Sequence, residues 1–358
     1  YVDNAAAGSN NGTSWTNAWS SFASVVWGGA GIVVGDTLYI SGGAAGKTYT
    51  ATASGLLTIG VSGTSSSAII TVATGAKSPS PSGHDGKVTL DGNALYGSLI
   101  SAVGRSWIVI DGEKAGAQNL RLFNVNTSDI FGAMDVSSAT DVVIKYVEIE
   151  KTPLGIAFTS GVRSEFVNNW FHDIRWEAAF RCNGANGTTP TYDLTLFHHN
   201  TVTLNSAMTG SGTGPDGIQG CFGLSIYNNT FSNVSGTVNG AQHNDFVQVQ
   251  ANYVKIYNNT FRNMSDSAID LDSCCNTGFL RIWNNIFTID SAMAISAPTG
   301  IRVYSNSGAT TSLSDIVIVG NTFVDVIGNV GISFPNYGGG NPTVSGVLIK
   351  NNIIYNTT

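Results

Sequence analysis

The chain has 358 residues and a formal net charge of −7, with only 11% charged residues, 42% hydrophobic residues and 43 glycines. That apolar fraction excludes a disordered chain, which lacks residues to bury. There is no Lys/Arg cluster and no apolar run near the ~20 residues of a membrane span, which argues against nucleic-acid, anionic-lipid and bilayer partners.

Tyr1 begins in what reads as mature sequence, any signal peptide having been removed or never present. Trp15, Trp19, Phe22 and Val26 follow at helical spacing, with Thr13 or Ser14 available as N-cap. Residues 1–30 are therefore expected to form a short strand and an N-terminal capping helix, because the end of a solenoid exposes its core. Strands are predicted next at "DTLYIS" (36–41), "AIITVA" (68–73), "KVTLDG" (87–92) and "SWIVIDG" (106–112), with "SPSPSG" (78–83) as a protruding loop.

From residue 167 a beat sets in. "VNNWF", "HHNTV", "YNNTF" twice, "WNNIF", "GNTF" and "KNNII" place Asn169, Asn200, Asn229, Asn259, Asn285, Asn321 and Asn352 at steps of 31, 29, 30, 26, 36 and 31. A short alternating strand precedes each Asn ("LTLF", "LSIY", "VKIY", "LRIW", "IVIV", "VLIK"). A second one follows after a polar loop ("AAFRC", "GIQGC", "FVQVQ", "AIDLD", "MAISA", "GISF"). Such a period, built of strands with little helical pattern, predicts stacked β-coils in which each rung buries its apolar face on the next. Ile226, Ile256 and Ile282 should then lie above one another at about 4.8 Å. The Asn has two reasons to recur: it tolerates the left-handed backbone of a sharp bend, and its amides can bond from rung to rung. These Asn residues are read as structural. No composition break marks a second domain, so 1–358 is read as a single domain, with coils from about residue 35.

The four cysteines are Cys182, Cys221, Cys274 and Cys275. A Cys182–Cys221 bridge between neighbouring coils and buried free thiols remain equally open.

The "NNTF" rungs and the opening "YVDNAAAGSNNGTSWTNAW" resemble the right-handed parallel β-helix (pectin-lyase-like) superfamily. The resemblance implies an all-β, single right-handed parallel β-helix, secreted or virion-associated, acting on a polysaccharide. Its members include lyases, hydrolases, epimerases and phage tailspikes, so fold alone does not select an activity. A monomer is expected, or a trimer if the chain is tailspike-like.

In the strands after the Asn turns, Arg181, Gln219, Gln248 and Asp270 fall in one column, continued by Ser296 and Ser333. Phe180, Ile218, Val247 and Ile269 alternate with the column, so it should face outward. Asp272 faces the same way. Strict alternation would point Asp216 and Asp245 inward; a bend before the strand is expected to turn them out instead. The patch then holds Asp216, Asp245, Asp266 and Asp270 as catalytic carboxylates. His243, Gln219, Gln248, Asp272, Arg181 and Glu177 are its substrate contacts. Asp216, Asp245 and Asp270 could alternatively cage Ca²⁺. Stacked carboxylates repel, which makes a purely structural reading the weaker one.

The stretch 243–273 distantly resembles the polygalacturonase pattern of Asn-Thr-Asp on one rung and Gly-Asp-Asp on the next. Carried over, this implies Asp245 and Asp266 as the acid/base pair. It departs where Ser265 replaces an Asp, no His follows His243, and no Arg-x-Lys is evident. The leading reading is a glycoside hydrolase, which requires no cofactor. The alternatives are a Ca²⁺-dependent uronate lyase using Arg181, Arg175 or Arg262 as base, and a non-catalytic glycan-binding or tailspike module. The acidic balance favours a neutral or weakly acidic glycan and hydrolysis. His172 and the His198–His199 pair are read as structural. Trp170, Trp176 and Tyr337 could stack on sugars, with core packing the default for Trp170.

Overall fold

The structure is a computed structural model that describes residues 1–95, 97–126, 132–175, 177–182, 191–205, 215–220, 222–234, 244–272, 277–290, 298–304, 312–326, 331–333 and 343–355. It divides into two compact units, Tyr1–Trp170 and Phe171–Thr358. Both are all-β and built from parallel strands.

In the N-terminal unit each coil gives one strand to each of three parallel sheets. The first sheet runs through Thr37–Ile40, Ile70–Thr74, Ser106–Asp111, Thr140–Lys145 and Ser164–Val167. The predicted strands at 36–41, 68–73, 87–92 and 106–112 are all present. The capping helix is not. Among the described residues the only helical turn in this region is the three-residue 3-10 turn Phe22–Ser24. Local polar side chains take the N–H groups that a helix would use. Ser14 Oγ accepts from Asn17 N, Asn11 Oδ1 from Thr13 N, Asn10 Oδ1 from Ser20 N and Asn17 Oδ1 from Ser9 N. This competition is the reason Asn and Ser are poor helix-interior residues. Val2 instead bridges in parallel to both Ile40 and Trp19, so the sheet edge is extended by single residues. Trp19 and Phe22 are buried as their spacing suggested, whereas Val26 is half exposed.

The C-terminal unit repeats the three-sheet scheme. Its first sheet holds Thr195–His198, Leu224–Tyr227, Lys255–Tyr257, Gly278–Trp283, Ser312–Val319 and Thr343–Lys350. Its second holds Thr201–Leu204, Thr230–Asn233, Thr260–Arg262, Ile286–Thr288, Thr322–Val324 and Ile353–Tyr355. Its third holds Ala178–Arg181, Asp216–Gln219, Val247–Val249, Ser267–Asp272, Thr299–Tyr304 and Ile332–Ser333. Ile226, Ile256 and Ile282 are in register, as predicted. Inside, Phe231, Phe261, Phe287 and Phe323 stack at centroid separations of 5.0, 5.0 and 4.5 Å, each fully buried. These Phe residues lie two places after the rung Asn. The place directly after it faces out, so Trp170 is partly exposed and not core.

The Asn pairs divide the two tasks expected of one residue. The first position takes the left-handed backbone: Asn168, His199, Asn228, Asn258, Asn284 and Asn351 have φ of 53–57°, and Gly320 has 64°. The second position forms the ladder. The Oδ1 atoms of Asn229, Asn259, Asn285 and Asn321 each accept the backbone N–H and the side-chain amide of the Asn one coil before. Each of those amides also donates back to a strand carbonyl, such as Asn259 to Ile226 O at 2.9 Å.

Candidate functional site

The third sheet of the C-terminal unit carries the column read from the sequence. Arg181, Gln219, Gln248, Asp270, Arg302 and Ser333 are in register over six coils. One member is a correction. Ser296 lies outside the described residues, and the residue paired with Asp270 is Arg302, from "TGIRVY" rather than "MAISA". Phe180, Ile218, Val247 and Ile269 point inward and are fully buried, which leaves the column on the outer face.

Arg302 organises the site. Its Nη1 donates to Asp266 Oδ1 at 2.7 Å, and its Nη2 to Asp270 Oδ2 at 3.0 Å. Nη2 also lies 3.5 Å from Asp245 Oδ1. Burial opposes the guanidinium charge. The hydrogen bond to Asp270 and the carboxylates of Asp270, Asp245 and Asp266 outweigh it and raise its pKa above the usual arginine value. Arg181 makes the matching ion pair with Glu177 at the other end of the column.

The catalytic carboxylates expected to face outward separate into two kinds. Asp216 and Asp245 are fully buried, at 0% exposure, so the assumed bend does not turn them out. Instead they form a short ladder. Asp216 Oδ1 accepts Asp245 N–H at 3.0 Å, and Asp245 Oδ1 accepts Ser267 N–H at 3.1 Å. Gln219, expected to touch substrate, donates to Asp216 Oδ2 at 3.1 Å. Asp266 is different, with 23% of its side chain exposed. Asp270 is enclosed but shares the Arg302 fork with it. Gln248 is buried between Gln219 and Asp270 in the column. The backbone of Asp272 pairs with Tyr304. His243, Trp176 and Tyr337 lie outside the described residues.

Ca²⁺ takes six to eight oxygen ligands in an open cage. Asp216 already serves Asp245 N–H and Gln219, and a guanidinium occupies the space among Asp245, Asp266 and Asp270. In this arrangement Asp216, Asp245 and Asp270 do not fit that ion. Cys182 is disulfide-bonded, which sets aside the free-thiol reading at that residue; the other three cysteines lie outside the described residues. In the N-terminal unit, Ser41, His84 and Asp3 have the residue types of a hydrolytic triad. However, Ser41 Oγ (2.9 Å) and Asp3 Oδ2 (3.3 Å) both approach the same Nδ1, so no proton relay runs through the ring.

No protein-family model and no curated protein matches the chain. Solved structures do match it. The alginate lyase AlyF-OU02, solved with G6, gives a TM-score of 0.53 at 13% identity over 87% of this chain and 57% of that one. A PL6 alginate lyase in complex with a trisaccharide gives 0.53 at 14% identity over 84% and 54%. The chain is a parallel β-helix protein. An alginate lyase from Paenibacillus sp. str. FPU-7 gives 0.48 at 17% identity over 88% and 93%. At these identities the likeness is one of fold, and the chain spans little more than half the length of the first two.

Proposed function

We propose that the chain is an extracellular polysaccharide-degrading β-helix enzyme that works at the outer column of the C-terminal unit, by hydrolysis. The observation that carries this reading is the Asp266–Arg302–Asp270 unit, two carboxylates held on one guanidinium with Asp266 reaching solvent. Glycosidases use two carboxyl groups about 5–9.5 Å apart, and carboxylates on two edges of one guanidinium suit that span. Asp270, gripped by two guanidinium nitrogens, is the ionised partner and accepts a proton from the attacking water. Asp266, held by one N–H and reaching solvent, is the carboxylate placed to take up a proton from solvent and pass it to the glycosidic oxygen as the C–O bond breaks. Water adds at the anomeric carbon, and the two carboxyl groups exchange protonation states.

Electrostatics supports a neutral glycan. Three carboxylates, Asp245, Asp266 and Asp270, surround Arg302, with Asp216 one coil from Asp245, and this excess repels a polyanion. The disulfide at Cys182 suits an oxidising, extracellular setting. A uronate lyase is the second reading, because two solved structures that match at a TM-score of 0.53 are titled alginate lyases.

The test is digestion of a panel of neutral and uronate polysaccharides, followed by both reducing ends and near-ultraviolet absorbance. Hydrolysis releases reducing ends without absorbance. An absorbing unsaturated product would establish the lyase. No cleavage of any polymer would leave a binding module.

A further inference from the structure

An open cleft of about 450 Å³ lies where the strand Lys47–Thr50 and the segment that follows it to Thr58 meet the residues around Ser20. That is the size of a small-ligand site, generally about 300–1,000 Å³. Every residue lining it belongs to the N-terminal unit, so it is separate from the outer column. Lys47–Thr50 is the first strand of its sheet, and no strand lies on its other edge. Lys47 N and Ala51 N donate to Lys87 O and Asp91 O on the next coil. Alternation therefore turns the backbone N–H and C=O of Thr48 and Thr50 to the open edge. Asn4 Nδ2 donates to Thr48 O at 3.2 Å, and Thr50 lines the cleft. Thr50, Thr52, Ser54 and Thr58 are all exposed there, and each hydroxyl can give and accept a hydrogen bond. Phe22 and Tyr49, buried with ring centroids 5.1 Å apart, add apolar surface. The Tyr49 hydroxyl donates to Ser41 O at 2.8 Å, so the ring meets the cleft as carbon. Among the described residues no charged side chain lines the cleft.

We propose that this cleft is a non-catalytic binding site for a short segment of a neutral glycan. A sugar ring carries hydroxyls around its rim and C–H groups on its faces. The Thr and Ser hydroxyls and the Thr50 edge groups match the rim, and Phe22 and Tyr49 match a face. A uronate or phosphate finds no cation here to offset its desolvation. An extended peptide fits less well. Strand addition uses a run of free edge groups, and Asn4 already holds Thr48 O of this four-residue strand.

The test follows backbone amide NMR signals while xylohexaose, cellohexaose, mannohexaose or hexagalacturonate is added. At least one neutral hexasaccharide should shift the Thr50–Thr58 amides saturably, and hexagalacturonate should not. Thr50→Val combined with Thr52→Val removes two hydroxyls at constant shape and should weaken that binding by about fivefold or more. Ser54→Trp fills the cleft and should abolish it, which keeps the test decisive should the valines disturb the edge strand. Silence of these amides toward every neutral hexasaccharide would overturn the proposal. So would unchanged affinity in both variants, or hexagalacturonate bound as tightly as the neutral sugar. A threonine-rich peptide that shifts these amides where no sugar does would make the edge a strand-docking site and overturn it equally. The amides of Gln219, Gln248 and Asp270 report on the outer column separately. If they stay silent while Thr50–Thr58 respond, the column reading fails and the cleft stands.

Discussion

Two polar ladders climb the C-terminal unit, one of Asn and one of Asp. Both use the same contact, a side-chain oxygen accepting the backbone N–H of a neighbouring coil. The Asn ladder runs from Asn200 to Asn352 without a break. An amide also donates, so every member satisfies the next. Among the described residues the Asp ladder runs from Asp216 to Asp245 and on to Ser267 N. An ionised carboxylate only accepts, so it cannot hand a hydrogen bond on, and each added rung adds like charge. It has to be closed by donors, and Gln219 and Arg302 supply them. A neutral ladder can serve as scaffold at any length. A charged one is short, needs a cation, and places that cation where Asp266 and Asp270 share it.

The contrast can be broken most severely at Arg302. Arg302→Met should destabilise the unit by about 3–5 kcal/mol in urea unfolding, because it strands Asp245, Asp266 and Asp270 without a cation. Next in size, Asn259→Ala strands the N–H of Asn229 and the carbonyl of Ile226 and removes one of the two acceptors of the Asn229 amide. A loss of about 2–4 kcal/mol in the same assay is expected. If that variant unfolds like the wild type, the neutral ladder is not scaffold. A smaller effect lies at Asp193. Burial works to raise its pKa, but hydrogen bonds from Lys255 and Ser225 prevail and lower it. A depressed carboxylate stabilises the fold above its unfolded pKa, about 3.9, and loses that contribution as pH falls through the folded value. Asp193→Asn should therefore lower Tm at pH 7 and progressively less below about pH 4. Finally, chelation of divalent cations should leave turnover unchanged, since Arg302 supplies the positive charge; loss of turnover would restore a Ca²⁺ role to the cluster.

Much of this was legible in the sequence because a solenoid repeats its constraints. The Asn period located the coils, and Phe180, Ile218, Val247 and Ile269 fixed the inner face. The column was right through Asp270 and failed one coil later. The step from Asp270 to Arg302 is 32 residues where that from Gln248 to Asp270 is 22, and two short apolar runs, "MAISA" and "TGIRVY", competed for the strand. The alternation of Ile301 and Val303 around Arg302 was the available signal. Asp216 and Asp245 were misplaced for a different reason. Alternation pointed them inward, and a bend before the strand was assumed to turn them out; backbone N–H groups, Gln219 and Arg302 offset the cost of burying these carboxylates, and none of these partners is visible from spacing alone. The N-terminal helix failed because its apolar spacing was read without weighing Asn10, Asn11, Ser14 and Asn17, whose side chains hold the backbone in turns.

The most direct test compares polysaccharide turnover by Asp245→Asn with that by Asp266→Asn and Asp270→Asn, with folding checked by unfolding curves. An Asn at 245 still accepts Ser267 N–H, so that variant should keep turnover within a few-fold. The other two should lose it by about 10²–10⁴-fold while remaining folded. A folded Asp245→Asn variant as inactive as Asp266→Asn would contradict the account and make the buried ladder part of the chemistry.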